Sequence, residues 1–319
     1  MLRGMPDTGI VRTGHTWVLP NHALHTMPTR YTTLITVAQL QALHASGQAA
    51  LVFDCSFDLM NPESGPAQYV QARLPGAVYA HLDTALSAKG PRAQTGAMSG
   101  GRHPLPAREA FARWLSSVGF TNDMQAVVYD RNGANYCGRL WWMLKWLGHD
   151  NVAVLDGGLQ AWQAAGGAVE SGGASAPVRA TTPFTIHDPL VRLVDVSEVE
   201  QGLKTGGQHL VDARSAPRYR GETEPVDPVA GHIPGALNRP FNQNIGADGF
   251  FKPADVLRSE FNALLAQRDA SQVVHHCGSG VSAVPNILAM EIAGLGRTAL
   301  FAGSWSEWCS DPVRPVAQG

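Results

Sequence analysis

The chain repeats itself across its two halves, and that repeat limits what it can fold into. The strand-like Leu51-Val52-Phe53-Asp54 returns as Leu210-Val211-Asp212, and Ala72-Arg73-Leu74-Pro75-Gly76-Ala77 returns as Gly231-His232-Ile233-Pro234-Gly235-Ala236. Leu155-Asp156-Gly157-Gly158-Leu159-Gln160-Ala161-Trp162 returns as Phe301-Ala302-Gly303-Ser304-Trp305-Ser306-Glu307-Trp308. The Pro-Gly turns lie 159 positions apart and the closing tryptophans 146, so the first copy holds about a dozen extra residues in between. The Gly-, Ser- and Pro-rich stretch 84–107 has room for them. A duplication at this spacing means two similar domains rather than a solenoid of short repeats, and 319 residues suffice for two.

Each copy alternates strands with helices. In the first, Thr36 caps a short helix, and Ala50 to Asp54 reads as a buried strand ending in an acid. Tyr69 to Val78 reads as a helix, a Pro-Gly turn and a strand; Ala110 to Val118 as an amphipathic helix; Ala126 to Asp130 as an apolar strand. Arg139 to Leu147 is a Trp-rich helix, and Val152 to Leu155 is a strand before an Asp-Gly-Gly turn. The alternation predicts an α/β fold of two tandem domains, each a parallel sheet with helices on both faces. The boundaries are an unstructured extension at 1–29, a first domain at 30–166, a Gly/Ala/Ser-rich linker at 167–190 and a second domain at 191–315.

The two copies differ where chemistry is concentrated. The strand Val127-Val128-Tyr129 ends at Asp130, whereas Val273-Val274-His275-His276 ends at Cys277, 147 positions on. The cysteine opens the loop Cys277-Gly278-Ser279-Gly280-Val281-Ser282-Ala283, followed by an apolar helix from Val284 to Ile292. Backbone N–H groups and a helix N-terminus converge on a cysteine at such a turn and favour its thiolate. Gly278 and Gly280 supply positive φ and close backbone approach. Ser279 and Ser282 add hydroxyls, Ser282 as a possible helix cap, with Pro285 tolerated in the first turn. A carboxylate cannot act as a sulfur nucleophile, so the second domain is expected to hold the chemistry and the first to complete a cleft. The plainer reading of Cys277 is a small buried residue.

Composition narrows the partners. With 24 basic and 26 acidic residues, no global field points to nucleic acid or an anionic membrane, and no run is long enough to span a bilayer. Cys55, Cys137, Cys277 and Cys309 are scattered without metal-ligand or disulfide spacing, so no metal or cofactor is expected and a reducing, cytoplasmic setting is. His275 and His276 are adjacent on a strand and cannot share one metal. A structural hydrogen bond is expected of His232, and core packing of Trp141, Trp142 and Trp146.

Residues 30–315 resemble the two-domain rhodanese family of thiosulfate and 3-mercaptopyruvate sulfurtransferases. The resemblance rests on His232-Ile233-Pro234-Gly235-Ala236, the Cys277 loop and Gly303-Ser304-Trp305-Ser306-Glu307-Trp308. It implies that Cys277 carries sulfur as a persulfide from a small-molecule donor to a thiol, thioredoxin-like or cyanide acceptor. It implies catalytic roles for Cys277 and Ser279, and substrate binding by Arg218, Gly278, Gly280, Val281 and Ser282. Arg220, two residues on, could replace Arg218, and either could instead pair with Glu222 or Glu224. Relatives that prefer 3-mercaptopyruvate carry Gly-Ser-Gly-Val after the cysteine, as here, and those that prefer thiosulfate carry basic residues. The expected donor is therefore 3-mercaptopyruvate, with thiosulfate as the alternative. Two departures stand out. A histidine that many relatives carry before the first Pro-Gly-Ala turn, proposed as a proton relay with the loop serine, is Arg73 here, which leaves Ser279 or a bound water as the proton source. A second arginine of some relatives is missing from Glu224-Pro225-Val226-Asp227.

Two rival classes fare worse. A cysteine phosphatase needs an arginine six residues after the nucleophile, and that position is Ala283. A non-catalytic sulfur-binding protein would not need the intact Cys277 loop.

Overall fold

The computed structural model describes residues 29–89, 96–173, 180 and 182–319. The first half is a five-stranded, all-parallel sheet of β1 (Leu34–Ile35), β2 (Ala50–Asp54), β3 (Val78–Tyr79), β4 (Gln125–Tyr129) and β5 (Val152–Leu155), in spatial order β1-β5-β4-β2-β3. Its helices are α1 (Val37–Ala45), α2 (Ser64–Gln71), α3 (Arg108–Ser117), α4 (Cys137–Trp146) and α5 (Gly158–Ala164). The second half repeats the order as β6 (Leu193–Val194), β10 (Ala299–Phe301), β9 (Val273–His276), β7 (His209–Asp212) and β8 (Leu237–Asn238). Its helices are α6 (Val196–Thr205), α7 (Ala216–Tyr219), α8 (Ala254–Leu265), α9 (Val284–Ile292) and α10 (Ser304–Trp308).

Matched local signals build matched elements. Thr36 accepts the Gln39 N–H at the start of α1, and Asp195 accepts that of Glu198 at the start of α6; each returns the bond through its third helical side chain, a capping box. The central strands β4 and β9 are buried at every position, as a parallel sheet covered on both faces requires. Along β4, Val127 and Tyr129 pack under α1 and α5, and Ala126 and Val128 pack under α3 and α4. The same division in the second half puts α6 and α10 on one face, α8 and α9 on the other.

The two halves meet through α4 and α9, and their inner faces form one continuous apolar cluster. That explains why α4 is buried around its whole circumference, with Trp141 and Trp142 fully enclosed. Lys145, also enclosed, crosses the boundary to Glu291 at 3.0 Å. Helix α2 starts five residues before the Tyr69 predicted from periodicity, and α3 two before Ala110. The expected extension lies outside the described residues apart from Thr29. Of the stretch read as a linker, residues 174–179 and 181 also lie outside, and the part from Phe184 runs along the first half, where Phe184 N–H bonds Ser116 Oγ at 2.8 Å. Among the described residues no helix is long and apolar enough to cross a membrane.

Candidate active site

Strand β9 delivers Cys277 to the carboxyl edge of the second sheet, where a short loop returns into α9. Gly280 is the loop's one residue at positive φ, +73°, and a Cβ there would run into the Ala302 carbonyl oxygen, so only glycine fits. Gly278 is not at positive φ, contrary to expectation. A Cβ there would press only on side-chain ends, tightly on Arg102 Nη2 at 3.1 Å and in ordinary contact with Arg218 Nη2 at 3.6 Å. Ser282 does not cap α9: the cap position is Ala283, with no side-chain bond. The start of α10 holds the loop from below. Cys277 N–H donates to Ser304 Oγ (3.1 Å), Trp305 N–H to Cys277 O (3.0 Å) and Ser306 N–H to Gly278 O (2.9 Å).

The first half shows what such a loop is shaped to bind. Asp130, at the position equivalent to Cys277, accepts the N–H groups of Asn132 and Ala134 on one oxygen and of Tyr136 and Cys137 on the other, at 2.8–3.1 Å. The counterparts of the first three are Ser279, Val281 and Ala283. Among the described residues no N–H of 278–283 finds a protein acceptor. One copy of the loop is filled by its own carboxylate; the other presents free donors around a cysteine that is 2% exposed.

The first half also contributes side chains to this loop. The segment around residues 99–103 docks on α10, with Arg102 N–H donating to Ser306 Oγ at 3.0 Å. His103 Nδ1 then lies 2.7 Å from Ser279 Oγ, and its Nε2 lies 3.4 Å from Asp83 Oδ1. Burial pulls His103 down to about 4 despite Asp83, so the ring is neutral at ordinary pH. Burial pushes Asp83 up, but His103 and Lys89 more than offset it and hold the carboxyl at about 2. The apparent loss of a relay histidine at Arg73 is therefore corrected. Arg73 is turned away, donating to Gly172 O at 2.8 Å beside Glu170, and His103 stands against the serine.

A second arginine near the loop likewise comes from the other half. Arg102 and Arg218 both approach Gly278, and Asp227 bonds both, with Glu224 adding a bond to Arg218 at 2.6 Å. Arg218 is thus both close to the Cys277 loop and ion-paired, whereas Arg220 is tied to Glu222 at the surface. Behind the loop, fully buried Arg139 of α4 donates to Gly280 O and His103 O, both at 2.9 Å.

Of the other singled-out residues, His232 Nδ1 bonds Tyr219 O at 2.8 Å and the ring stacks on Tyr219. His275 faces Met290 and His276 faces Asp212, on opposite sides of β9. Trp305 and Trp308 are enclosed in the core beneath the loop. Asp83, Arg102, His103 and Arg139 were missed. The Gly100-Gly101-Arg102-His103-Pro104 run was the one local signal for Arg102 and His103, and it is a charged turn like many others; Asp83 and Arg139 had none.

Comparison with known proteins agrees with this architecture. The model of the Rhodanese-like domain family matches twice, over residues 36–165 and 195–311. The chain is 44% identical over 287 residues to a Pseudomonas aeruginosa protein named "Probable 3-mercaptopyruvate sulfurtransferase", covering 90% of this chain and 98% of that one. It is 33% identical to "Thiosulfate/3-mercaptopyruvate sulfurtransferase 2" of Arabidopsis thaliana, covering 88% and 86%. The structure of the 3-mercaptopyruvate sulfurtransferase from Leishmania major superposes with a TM-score of 0.75 at 32% identity, covering 91% of this chain and 77% of that one. With two matching domains, one repeated sheet order and relatives aligned along nearly their whole length, the chain belongs to the tandem-domain rhodanese family of sulfurtransferases.

Proposed function

We propose that this sulfurtransferase moves sulfur from 3-mercaptopyruvate, through a persulfide on Cys277, to a thiol, a thioredoxin-like protein or cyanide, in the cytoplasm. The observation that carries the choice of donor is the 2.7 Å approach of His103 to Ser279 beside the Cys277 loop. Thiosulfate leaves as sulfite and needs no proton, whereas the carbon of mercaptopyruvate must gain one as sulfur departs. Names of relatives that include 3-mercaptopyruvate support the same choice. Four cysteines present as free thiols support a reducing compartment.

In the first half-reaction Cys277 Sγ attacks the donor sulfur. The S–S bond forms as the C–S bond breaks, and its electron pair goes to carbon. The proton of the donor thiol passes through Ser279 Oγ to His103 Nδ1 and returns to that carbon, giving pyruvate, while Asp83 orients the ring. Arg218 and Arg102 hold the donor carboxylate at Gly278. The free N–H groups of the loop stabilise negative charge on the cysteine sulfur and on the persulfide. In the second half-reaction the acceptor attacks the outer sulfur and leaves Cys277 as thiolate. The first domain, with Asp130 in place of a thiol, takes no sulfur but supplies Arg102, His103 and Asp83.

The test is a steady-state comparison of the two donors with one acceptor. A higher kcat/KM for 3-mercaptopyruvate is expected. A thiosulfate value equal or higher would overturn the choice of donor and leave the family unchanged.

A further inference from the structure

Arg139 is fully buried on α4, yet among the described residues no carboxylate lies within ion-pair distance of it. Its bonds go to neutral carbonyls: Nη1 to Gly280 O at 2.9 Å, Nη2 to His103 O at 2.9 Å and, more loosely, to Leu86 O at 3.4 Å. Its Nε–H finds no partner among the described residues. An enclosed guanidinium bonded only to dipoles keeps its charge uncompensated, which is costly unless a nearby anion uses it. The anion at hand is the sulfur of Cys277, two residues before Gly280. Burial drags the Arg139 guanidinium down to about 10, and the opposing influence is the Cys277 sulfur. The two carbonyls it grips belong to different halves, one on the Cys277–Ser279 loop and one on His103 itself.

We propose that Arg139 is a positioning residue for sulfur transfer: its fork fixes the Cys277 loop against His103 across the domain boundary, and its charge backs the anionic sulfur from the side opposite the donor. This rests on the reading of Cys277 as nucleophile. The planar fork sets the Ser279–His103 distance through the two backbones, as a rigid bidentate group can and a single-point cation cannot. A helix of the first domain thus acts on the chemistry of the second without touching the substrate. The other charged groups near the loop are Arg102, Arg218 and Arg214 with Asp212, Glu224 and Asp227, and His103 and His276 with Asp83. Of these, His103 is the one that Arg139 bonds, through its backbone carbonyl.

The test compares Arg139→Gln and Arg139→Lys with wild type in the full chain, reading turnover, the pH profile of Cys277 alkylation by iodoacetamide, and melting. For Arg139→Gln, kcat is expected to fall at least about tenfold with the donor KM within about threefold. Its alkylation profile is expected to move to higher pH. Arg139→Lys is expected to restore the alkylation profile but only part of kcat, because an ammonium cannot grip both carbonyls. A folded Arg139→Gln with wild-type kcat and alkylation profile, and a loss confined to melting, would overturn the proposal. If neither variant folds, the ¹⁵N signal of Arg139 Nε in the wild type decides. It is expected to follow Cys277 ionisation and to stay flat in Cys277→Ser, and a flat signal in both overturns the proposal. Cys277→Ser tests the nucleophile separately: if that variant is dead while the Arg139 variants match wild type, only this inference fails.

Discussion

At the scale of single residues, position relative to one sulfur atom separates groups that composition treats alike. Four cysteines are buried, but Cys55 and Cys137 are pushed well up, by burial and then by the nearby Asp130 carboxylate, and so are held as inert thiols. Cys277 differs in opening a loop whose N–H groups, 278–283, find no protein acceptor among the described residues. Serine there keeps its proton and cannot carry a sulfane sulfur. Cys277→Ser is expected to abolish transfer from every donor with an unchanged melting profile, and mass spectrometry of donor-treated wild type should add one sulfur to the peptide holding Cys277. Sulfur found on Cys55, Cys137 or Cys309 would refute this. The arginines separate likewise. A charge-assisted contact of about 1.5–3 kcal/mol makes Arg218→Ala cost one to two orders of magnitude in kcat/KM. Arg220→Ala is expected to cost much less, since that side chain is paired with Glu222 at the surface. Kinetics giving equal losses would show that the ligand is misassigned.

At the scale of elements, the loop between β9 and α9 depends on what lies beneath it. Two glycines two positions apart have different jobs, and substitution tells them apart. Gly280→Ala forces a side chain into positive φ and against Ala302 O, so it is expected to lower stability by about 1–3 kcal/mol and to cripple turnover through a displaced loop. Gly278→Ala meets only the side-chain ends of Arg102 and Arg218 and no backbone, so melting should hardly change while the donor KM rises. Thermal unfolding with donor kinetics on the two variants checks this, and equal melting shifts would contradict it. The helix on the other side of the loop was legible from sequence to the residue, Val284–Ile292, because an apolar run with proline in its first turn leaves little freedom. Its cap was misread at Ser282, since the bond a serine makes depends on where the preceding loop turns.

At the scale of the molecule, the enclosed histidines set a pH limit. Burial holds His103 and His149 at about 4 and His275 at about 3 in the folded state, against an ordinary value near 6.5. As pH falls below about 6.5 the unfolded chain takes up protons that the folded chain refuses, so stability is full above that value and is lost as pH falls toward 4. Each unit of difference is worth about 1.4 kcal/mol per histidine. Asp212, lowered by His276 and Arg214 against its burial, works in the same direction further into acid. Asp156 and Glu307, raised by burial, oppose it there. The midpoint of urea unfolding is expected to be clearly lower at pH 5 than at pH 7.5; a flat or rising midpoint would contradict the assignment of neutral buried histidines.

Sequence alone was enough for the two parallel sheets, the order of elements, the chemical inequality of Asp130 and Cys277, and the loop that carries the proposed nucleophile. All of these are written in contiguous residues, where strand periodicity, turn glycines and an aligned repeat act over short range. Tertiary structure decided what faces that loop. Asp83, Arg102, His103 and Arg139 come from the other half, the first three from or beside a Gly- and Pro-rich stretch with no periodicity to locate it. His103 lies 176 positions from Ser279, and no pattern along a chain fixes a distance across a domain boundary. The pairing of α4 with α9 fixes it, by burying the inner faces of both sheets in one core and bringing a histidine of one copy against a serine of the other.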